Sequence, residues 1–334
     1  MRGEKPMLRS MYSGISGLKN FQTKLDVIGN NISNVNTYGY KKERTIFKDL
    51  ISQTQSGASS PTATRGGVNA IQVGLGSQLA AIDTVHNGGA LQTTGRTLDL
   101  AISGDGFFMV ADSAAEELPA LEDMESLTEN ALLDTGFTNT SYTRAGNFYM
   151  DRNGFLVNGD GKYLVGIPNG EDLYGEVDPE ATSNADADKE ELDLGTENLY
   201  QEDGTIDADI SPIKIPTNAQ SMSVGQDGSV YYVDVNGKRQ FAGQLLMAKF
   251  PNASGLEKTG SNYFQVTANS GNPLVQVATQ GGIGSIQSGF LEMSNVDLSE
   301  EFTEMIVAQR GFQANSRIIT TSDEILQELV NLKR

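Results

Sequence analysis

Apolar residues recur at helical spacing near both ends of this 334-residue chain. In the N-terminal part they follow one another at alternating steps of three and four, the spacing of one face of a helix. This stripe consists of Leu18, Phe21, Leu25, Ile28, Ile32 and Val35. Gly14, Gly17 and Gly29 interrupt the segment, and a glycine inside a helix costs about 1 kcal/mol relative to alanine. The pattern therefore predicts a helix that is marginal alone and needs a partner to pack on.

The C-terminal part carries a longer pattern of the same kind. From 298 to 330, steps of four and three alternate without a slip, which is typical of a coiled-coil helix. The apolar members are Leu298, Phe302, Met305, Phe312, Ile319, Leu326 and Val330. Gln309, Ser316 and Asp323 interrupt this seam, and a dry two-helix core would not accommodate three polar groups. We therefore expect the seam to face more than one neighbour or to border water.

The middle of the chain has the pattern of β-strands instead. Segments such as GFFMV (106–110) and SVYYVDV (229–235) are rich in aromatic and branched residues. Asn-Gly and Asp-Gly pairs, which favour tight hairpin turns, stand at 153–154, 160–161, 227–228 and 236–237. The sequence predicts an α+β fold, in which N- and C-terminal α-helices form a coiled coil and the central domain is mainly antiparallel, all-β and carries acidic insertions.

The net charge of −19 is concentrated in two stretches. Residues 112–134 contain eight acids and no base, and residues 171–209 contain fifteen acids and a single base, Lys189. Together they carry −22, so the rest of the chain is close to neutral at about +3. We interpret both stretches as solvated insertions into a nearly neutral frame. A chain this acidic is also poorly suited to binding nucleic acid.

The composition removes most catalytic chemistry. The chain has no cysteine and one histidine, His86, which precedes an Asn-Gly-Gly run and is therefore expected in a surface loop. No phosphate-binding or nucleophile-elbow motif is present. Asp151 and Asp160 stand in turn sequences, where turn formation explains them better than a catalytic carboxylate pair does. We expect no enzyme activity, no metal, no cofactor and no membrane insertion.

Four collinear motifs resemble those of bacterial flagellar rod and hook proteins. They are NNISNVNTYGYK (30–41), the segment 86–110 with TLDLAI (97–102) and GFF (106–108), YTRAGNF (142–148), and GFLEMSNVDL (289–298) followed by MIVAQR (305–310) and FQAN (312–315). The residues that carry the terminal signatures are Asn30, Asn31, Asn34, Asn36, Gly39, Gln309, Arg310 and Asn315. The resemblance covers both ends and most of the β frame, and leaves out both acidic stretches.

This resemblance implies a structural subunit that assembles with copies of itself into a helical tube around an export channel. The two apolar stripes would form the inner coiled coil, and a glycine-rich link at 53–76 would join it to an outer β layer whose contacts slide. The C-terminal run is most similar to hook subunits, so we expect a hook subunit, which transmits motor torque as a flexible joint. A distal rod subunit is the alternative, which a resemblance at 223–228 supports.

The resemblance also implies partners and a location. The expected partners are further copies of the chain, the distal rod protein, the hook–filament junction protein, the hook cap and the flagellar type III export apparatus. The expected location is the extracellular flagellum, reached without a cleaved signal peptide.

Domain boundaries are expected as follows: helix and linker at 1–76, β domain at 77–170 with an acidic insertion at 112–135, an acidic insertion at 171–210 in place of an outer domain, β domain again at 211–288, and the C-terminal helix at 289–334.

Overall fold

The computed structural model of the chain describes residues 4–62, 64–113, 137–168 and 210–332. The acidic stretch 171–209 and all but the first two residues of the stretch 112–134 lie outside the described residues. The chain forms two compact units. The first, here called the helical unit, comprises Met1–Val35, Lys41–Val85 and Val296–Arg334, and the second, the β unit, comprises Asn36–Tyr40 and His86–Asn295.

Two long helices dominate the helical unit. Helix α1 spans Glu4–Ser33 and helix α2 spans Leu298–Leu332. Helix α1 therefore ends two residues before Val35, the last position of the predicted stripe. At the start of α2 the Asp297 carboxylate accepts hydrogen bonds from the backbone N–H groups of Ser299 (2.8 Å) and Glu300 (3.3 Å), which caps the helix. Mainly β structure between an N-terminal and a C-terminal helix is the architecture that the sequence predicted.

A β-ribbon replaces the glycine-rich link that was predicted at 53–76. Its strands are β1 (Glu43–Asp49), β2 (Ser52–Ser56), β3 (Ile71–Gly74) and β4 (Ser77–Thr84). Strand β1 pairs with β4 and β2 with β3, both antiparallel, and single bridges at Ser59–Val68 and Thr62–Arg65 continue the pairing toward the tip. The prediction missed this because the ribbon is rich in Ser, Thr, Gln and Gly and lacks clear apolar alternation. Residues 77–84, expected in the β domain, belong to this ribbon in the helical unit.

The β unit contains the remaining strands, and every pairing that the structure describes there is antiparallel. The strands are β5 (Leu91–Thr93), β6 (Leu100–Ser103), β7 (Phe107–Ser113), β8 (Phe137–Thr143), β9 (Tyr149–Met150), β10 (Leu156–Val157), β11 (Tyr163–Pro168), β12 (Ser211–Pro212), β13 (Ser221–Val224), β14 (Ser229–Val233), β15 (Arg239–Lys249), β16 (Glu257–Gly260), β17 (Tyr263–Gln265), β18 (Leu274–Val277), β19 (Ser285–Ser288) and β20 (Phe290–Glu292). The principal sheet follows the order β13-β14-β15-β11-β7-β8-β17-β16, with β9, β10, β12 and β18 attached to it, while β5 pairs with β20 and β6 with β19.

The central strands of this sheet are buried on both faces. Along β7, Phe108 and Val110 belong to one apolar core, whereas Phe107 and Met109 belong to a second core on the other face. Strand β15 divides its side chains in the same way. Successive side chains of a strand point to opposite faces, so an unbroken apolar run such as GFFMV fits a strand covered on both sides.

The Asn-Gly and Asp-Gly turns form where they were predicted. Gly228 (φ 84°) and Gly237 (φ 76°) flank strand β14, and both adopt the positive φ that glycine tolerates best.

Neither of the two long helices, nor any other helix in the described ranges, has the length and apolar composition of a membrane span.

Candidate functional site

The two helices of the helical unit run antiparallel and approach closely where glycines face the partner helix. A Cβ added at Gly17 would lie 2.9 Å from the Asn315 amide nitrogen, and one at Gly311 would lie 2.5 Å from the ring of Phe21. These glycines weaken each helix alone but allow side chains of the partner helix to pack against the helix backbone, which larger residues would prevent. The stripe that is marginal by itself thus has a partner in α2.

Polar contacts tie the other end of the pair. The Asn31 amide donates to the Glu43 carbonyl oxygen (2.8 Å) and to the Glu301 carboxylate (3.2 Å), and its oxygen accepts the Glu43 N–H (3.0 Å). Lys24 pairs with Glu304 at 3.0 Å. Glu301 is buried, and the loss of hydration raises the pKa of its carboxyl above the ordinary value, against the opposing effects of Asn31 and Lys42. This end therefore combines buried hydrogen bonds with the buried apolar side chains of Val27 and Ile28.

The structure divides the predicted assembly residues into two groups. Ile28 is buried, and the side chains of the following residues are half-buried: Leu18, Phe21, Leu25, Ile32, Val35, Met305, Phe312, Ile319 and Leu326. Leu298, Phe302 and Val330 are 40–65% exposed. On α2, Glu301, Ala308 and Ser322 are buried as well, whereas the seam positions 302, 309 and 323 are exposed. The half-buried seam positions 305, 312, 319 and 326 therefore share the packed face of α2 with these three residues.

Two apolar flanks of α2 are not covered by any of the residues that the structure describes. The long flank consists of Val307, Ile318, Ile325 and Leu332, which are 43–83% exposed and recur after three or two helical turns. The short flank consists of Leu298, Phe302 and Ile306. Exposed apolar stripes of this length mark interaction sites more often than free surface.

In the β unit, segments from all four sequence motifs converge on one buried ion pair. Arg144 and Glu292 lie 3.1 Å apart, and their side chains are 3% and 1% exposed. Arg144 also donates to the carbonyl oxygen of Gly104 (2.7 Å), and Glu292 accepts the backbone N–H of Gly89 (2.9 Å). The pair therefore joins the 86–110 segment, the YTRAGNF motif and the GFLEMSN motif.

The N-terminal signature reaches the same place through its glycine. The Gly39 N–H donates to the Glu292 carbonyl oxygen (2.8 Å), and Gly39 has a φ of 70°. A Cβ there would lie 2.6 Å from the backbone nitrogen of Ala145, so only glycine fits. Asn262 also donates to the Tyr38 carbonyl oxygen (3.1 Å), which fixes this turn from a second strand hairpin.

The other signature residues have local or exposed positions. Asn34 donates to the Asn30 oxygens (2.9 and 3.0 Å) just beyond the end of α1, while Asn36, Gln309 and Arg310 are exposed. Arg144 and Glu292 lie within the YTRAGNF and GFLEMSNVDL motifs, but the sequence does not predict their pairing, because 148 residues separate them and neither has a local pattern. His86, expected in a surface loop, packs instead edge-on against Phe107 and Phe264, with ring centroids 5.6 and 5.4 Å away.

Among the described residues, no group of three or more His, Asp or Glu side chains could hold a metal ion.

The geometry defines a structural subunit, built from a β unit of fully packed strands and a helix pair with uncovered apolar flanks. Three family models match the chain: "Flagella basal body rod protein" at residues 11–41, "Flagellar hook protein FlgE/F/G D1 domain" at 133–232, and "Flagellar basal body rod FlgEFG protein C-terminal" at 287–332.

Curated relatives match over nearly the whole chain. The flagellar basal-body rod protein FlgG of Bacillus subtilis is 51% identical over 331 residues, covering 98% of this chain and 100% of the relative. The flagellar hook protein FlgE of Borreliella burgdorferi is 34% identical over 449 aligned residues, and the FlgG of the same organism is 34% identical over 331, each with 98% of this chain and 100% of the relative covered. The chain belongs to the flagellar rod and hook protein family, whose members are structural components of the bacterial flagellum.

Proposed function

We propose that the chain is a distal rod subunit of the flagellar basal body, which corrects the expectation of a hook subunit in favour of its alternative. The observation that carries this choice is the match to the Bacillus subtilis rod protein, which is higher in identity than the hook match and runs almost end to end. The alignment with the Borreliella hook protein has 449 positions, 115 more than the 334 residues of this chain, so at least that many have no counterpart here.

The β-ribbon supports a stiff assembly over a flexible one. A hook must bend as it turns, and a glycine-rich link would allow its layers to slide. Here the ladder pairs run from Glu43–Thr84 to Ser52–Gly74, and bridges continue toward the tip. Paired strands are far less free than a glycine linker of the same length. A straight shaft that transmits torque without bending needs this stiffness.

The uncovered apolar side chains support self-assembly. Besides the two flanks of α2, the ribbon exposes Ile51 (82%), Ile71 (55%) and Val68 (46%). Burying such side chains against further copies would contribute roughly 25 cal/mol for each Å² of apolar surface removed from water. In this proposal α1 and α2 make the inner layer of the tube, with the apolar residues of the N-terminal stripe (18–35) and of the C-terminal seam (298–330). The β unit forms the outer layer.

The remaining partners and the location follow from the same proposal. Copies of this chain would contact each other in the rod, hook subunits would continue the tube, and the flagellar export apparatus would deliver each subunit. The acidic stretch 171–210 would stand where larger relatives carry an additional domain. The domain boundaries expected from the sequence are part of this proposal, except that residues 77–84 belong with the ribbon.

Electron microscopy of the concentrated chain in a sulfate or phosphate salt, which favours apolar burial, tests the proposal directly. We expect straight tubes. Curved tubes would indicate a hook subunit instead, and failure of the wild-type chain to form any tube in these salts would overturn the assembly proposal.

A matched pair of variants tests the role of the long flank. Ile318→Asp places a charge on this flank, whereas Thr320→Asp places the same charge on an exposed polar part of α2. We expect Ile318→Asp to abolish tubes and Thr320→Asp to leave them intact, with circular dichroism showing that both chains are folded. Equal assembly of the two variants would exclude the long flank as a contact surface.

A further inference from the structure

Helix α2 carries a second heptad pattern beside the face that packs on α1. Its positions follow one another at alternating steps of four and three, the spacing of a coiled-coil seam. The pattern comprises Val307, Gly311, Ala314, Ile318, Thr321, Ile325, Glu328 and Leu332, and the long flank supplies its large apolar side chains. Because these side chains are 43–83% exposed, no described residue covers the seam, and its spacing suits a second helix.

Charged side chains beside the long flank are segregated by sign. Arg310 and Arg317 lie in the N-terminal half of the flank, seven residues apart and therefore on the same side of the helix. Glu324 follows Arg317 by seven residues, and Glu328 follows one turn later, so the C-terminal half is negative. All four side chains are exposed, and we call this row the charged edge.

The acids at the beginning of α2 are neutralised within the chain, unlike those of the charged edge. Glu300 pairs with Lys42 at 2.8 Å, and Glu304 pairs with Lys24 at 3.0 Å. The residues of the charged edge form no ion pair with any side chain in the described part of the chain. Their charges therefore remain available to a partner that lies on the long flank.

The segregated charges favour an antiparallel arrangement of two α2 helices. If Arg317 is aligned with Glu324 of a second copy, the positive half of each edge meets the negative half of the other, and two-fold symmetry repeats the pair. The same alignment sets Ile325 opposite Ala314 and Ile318 opposite Thr321, so large side chains meet smaller ones. A parallel arrangement would place arginine beside arginine and glutamate beside glutamate, and like charges repel.

We propose that two copies of the unassembled chain form an antiparallel dimer through the long flanks of α2, in which Arg317 of each copy pairs with Glu324 of the other. The apolar side chains provide the affinity, and the exposed ion pairs, which individually contribute little, select the orientation. The two-fold axis closes the dimer, so it does not extend into a tube.

The dimer would also withhold the long flank from the tube until subunits assemble. This role rests on the proposed function, whereas the dimer itself does not. Sedimentation velocity of the full chain in a chloride buffer, without the sulfate or phosphate used for tubes, tests the dimer alone. We expect conversion from monomer to dimer as the protein concentration rises, with no larger species. A chain that stays monomeric would overturn the dimer and leave the tube proposal untouched.

Two charge reversals test the orientation. Arg317→Glu and Glu324→Arg each create two like-charge pairs in the antiparallel dimer, and we expect each to weaken dimerisation about fivefold or more. In a parallel dimer the same changes would only replace one like-charge pair by another, so the affinity would not fall. Unchanged affinity for both variants would therefore exclude the antiparallel arrangement.

Mixing the two variants should restore the dimer. One copy then carries glutamate at both positions and the other carries arginine at both, so each pair again joins opposite charges. We expect the equimolar mixture to recover the affinity of the natural chain to within about twofold, since the same number of exposed pairs is regained. The double variant Arg317→Glu with Glu324→Arg should recover it in a single chain, and circular dichroism shows whether each variant is folded.

Asp323→Arg is the matched control. It changes the net charge by the same amount as Glu324→Arg, at an exposed position about 100° further around the helix, and it should leave dimerisation unchanged. The proposal is overturned if the natural chain forms larger species in place of a dimer, if Asp323→Arg weakens the dimer as much as Glu324→Arg does, or if neither the mixture nor the double variant recovers the affinity.

Discussion

The β unit buries its apolar side chains more completely than the helix pair does. In the central strands, both faces are covered, and Phe108, Val110, Leu245 and Met247 are at most marginally accessible to solvent. In helix α2, by contrast, the large apolar side chains of both flanks are about half exposed or more. Since burial of apolar surface is the main stabilising contribution in folding, the β unit has completed its burial within one chain and the helix pair has not.

The ion pairs of the two regions differ in the same sense. Arg144–Glu292 is almost fully buried, whereas in Lys24–Glu304 the side chains are 21% and 49% exposed. A buried charge requires its partner, while a pair in contact with water contributes little. The β unit is therefore stabilised by contacts within itself, whereas the helix pair leaves apolar surface uncovered by the described residues.

Placing the same charge in both regions gives the largest expected difference. Val110→Asp introduces a carboxylate at a position that is 0% exposed, and we expect a loss of more than about 4 kcal/mol, enough to unfold the β unit. Val307→Asp makes the same change on the long flank at 58% exposure, and we expect a change within about 0.5 kcal/mol. Urea unfolding followed by circular dichroism measures both. A large loss from Val307→Asp in the unassembled chain would show that α2 is already covered.

Breaking one ion pair in each region should give the next largest difference. Arg144→Met leaves the Glu292 carboxylate buried without its guanidinium, and we expect a loss of about 3–5 kcal/mol from the β unit. Lys24→Met removes a partly exposed partner, and we expect a loss of at most about 1 kcal/mol from the helix pair.

The double variant Arg144→Met with Glu292→Gln is the control for this pair. The Glu292→Gln change removes the negative charge and leaves an amide oxygen that could still accept the Gly89 N–H, so much of the stability should return. If the double variant is as unstable as the single one, the cost comes from the lost packing of Arg144 and its lost hydrogen bonds to Gly104 and Ile102, and not from the unpaired carboxylate. Hydrogen exchange measured by mass spectrometry would locate the loss in either unit.

The sequence was sufficient for the elements whose physics is local. Helical periodicity predicted both helices, and Asp-Gly and Asn-Gly pairs predicted turns that the structure contains, as at Gly228 and Gly237. It was not sufficient where distant segments decide the outcome. The inner face of α2 is set by glycines on α1, such as Gly17 beside Asn315, and periodicity alone cannot detect a partner's shape.

The same limit applies to the buried site. Arg144, Glu292 and His86 acquire their environments from segments far away in sequence, so no local pattern separates them from ordinary surface residues. The β-ribbon was missed for a related reason, because pairing between its two halves, and not the propensity of either half, makes it regular. Motif resemblance identified which segments matter but not which contact unites them.

The buried carboxyl of Glu301 gives the smallest expected effect and tests whether the helix pair is tuned by pH. Burial raises the pKa of this group in the folded chain above its ordinary value of 4.5. At pH values between the ordinary pKa and the raised pKa, the folded state binds more protons than the unfolded state, so the contribution of Glu301 to stability falls as pH rises through the folded pKa.

Glu301→Gln should remove this pH dependence and raise the melting temperature of the helices slightly near neutral pH, because the amide can still accept a hydrogen bond from Asn31. Glu324→Gln, at an exposed position of the same helix, is the matched control and should leave the pH dependence unchanged. Thermal unfolding followed at 222 nm from about pH 4 to pH 8 decides the matter. Equal pH profiles for Glu301→Gln and the natural chain would mean that the inner face of α2 admits enough water to keep the carboxylate solvated, and the helix pair would then be looser than the contrast with the β unit implies.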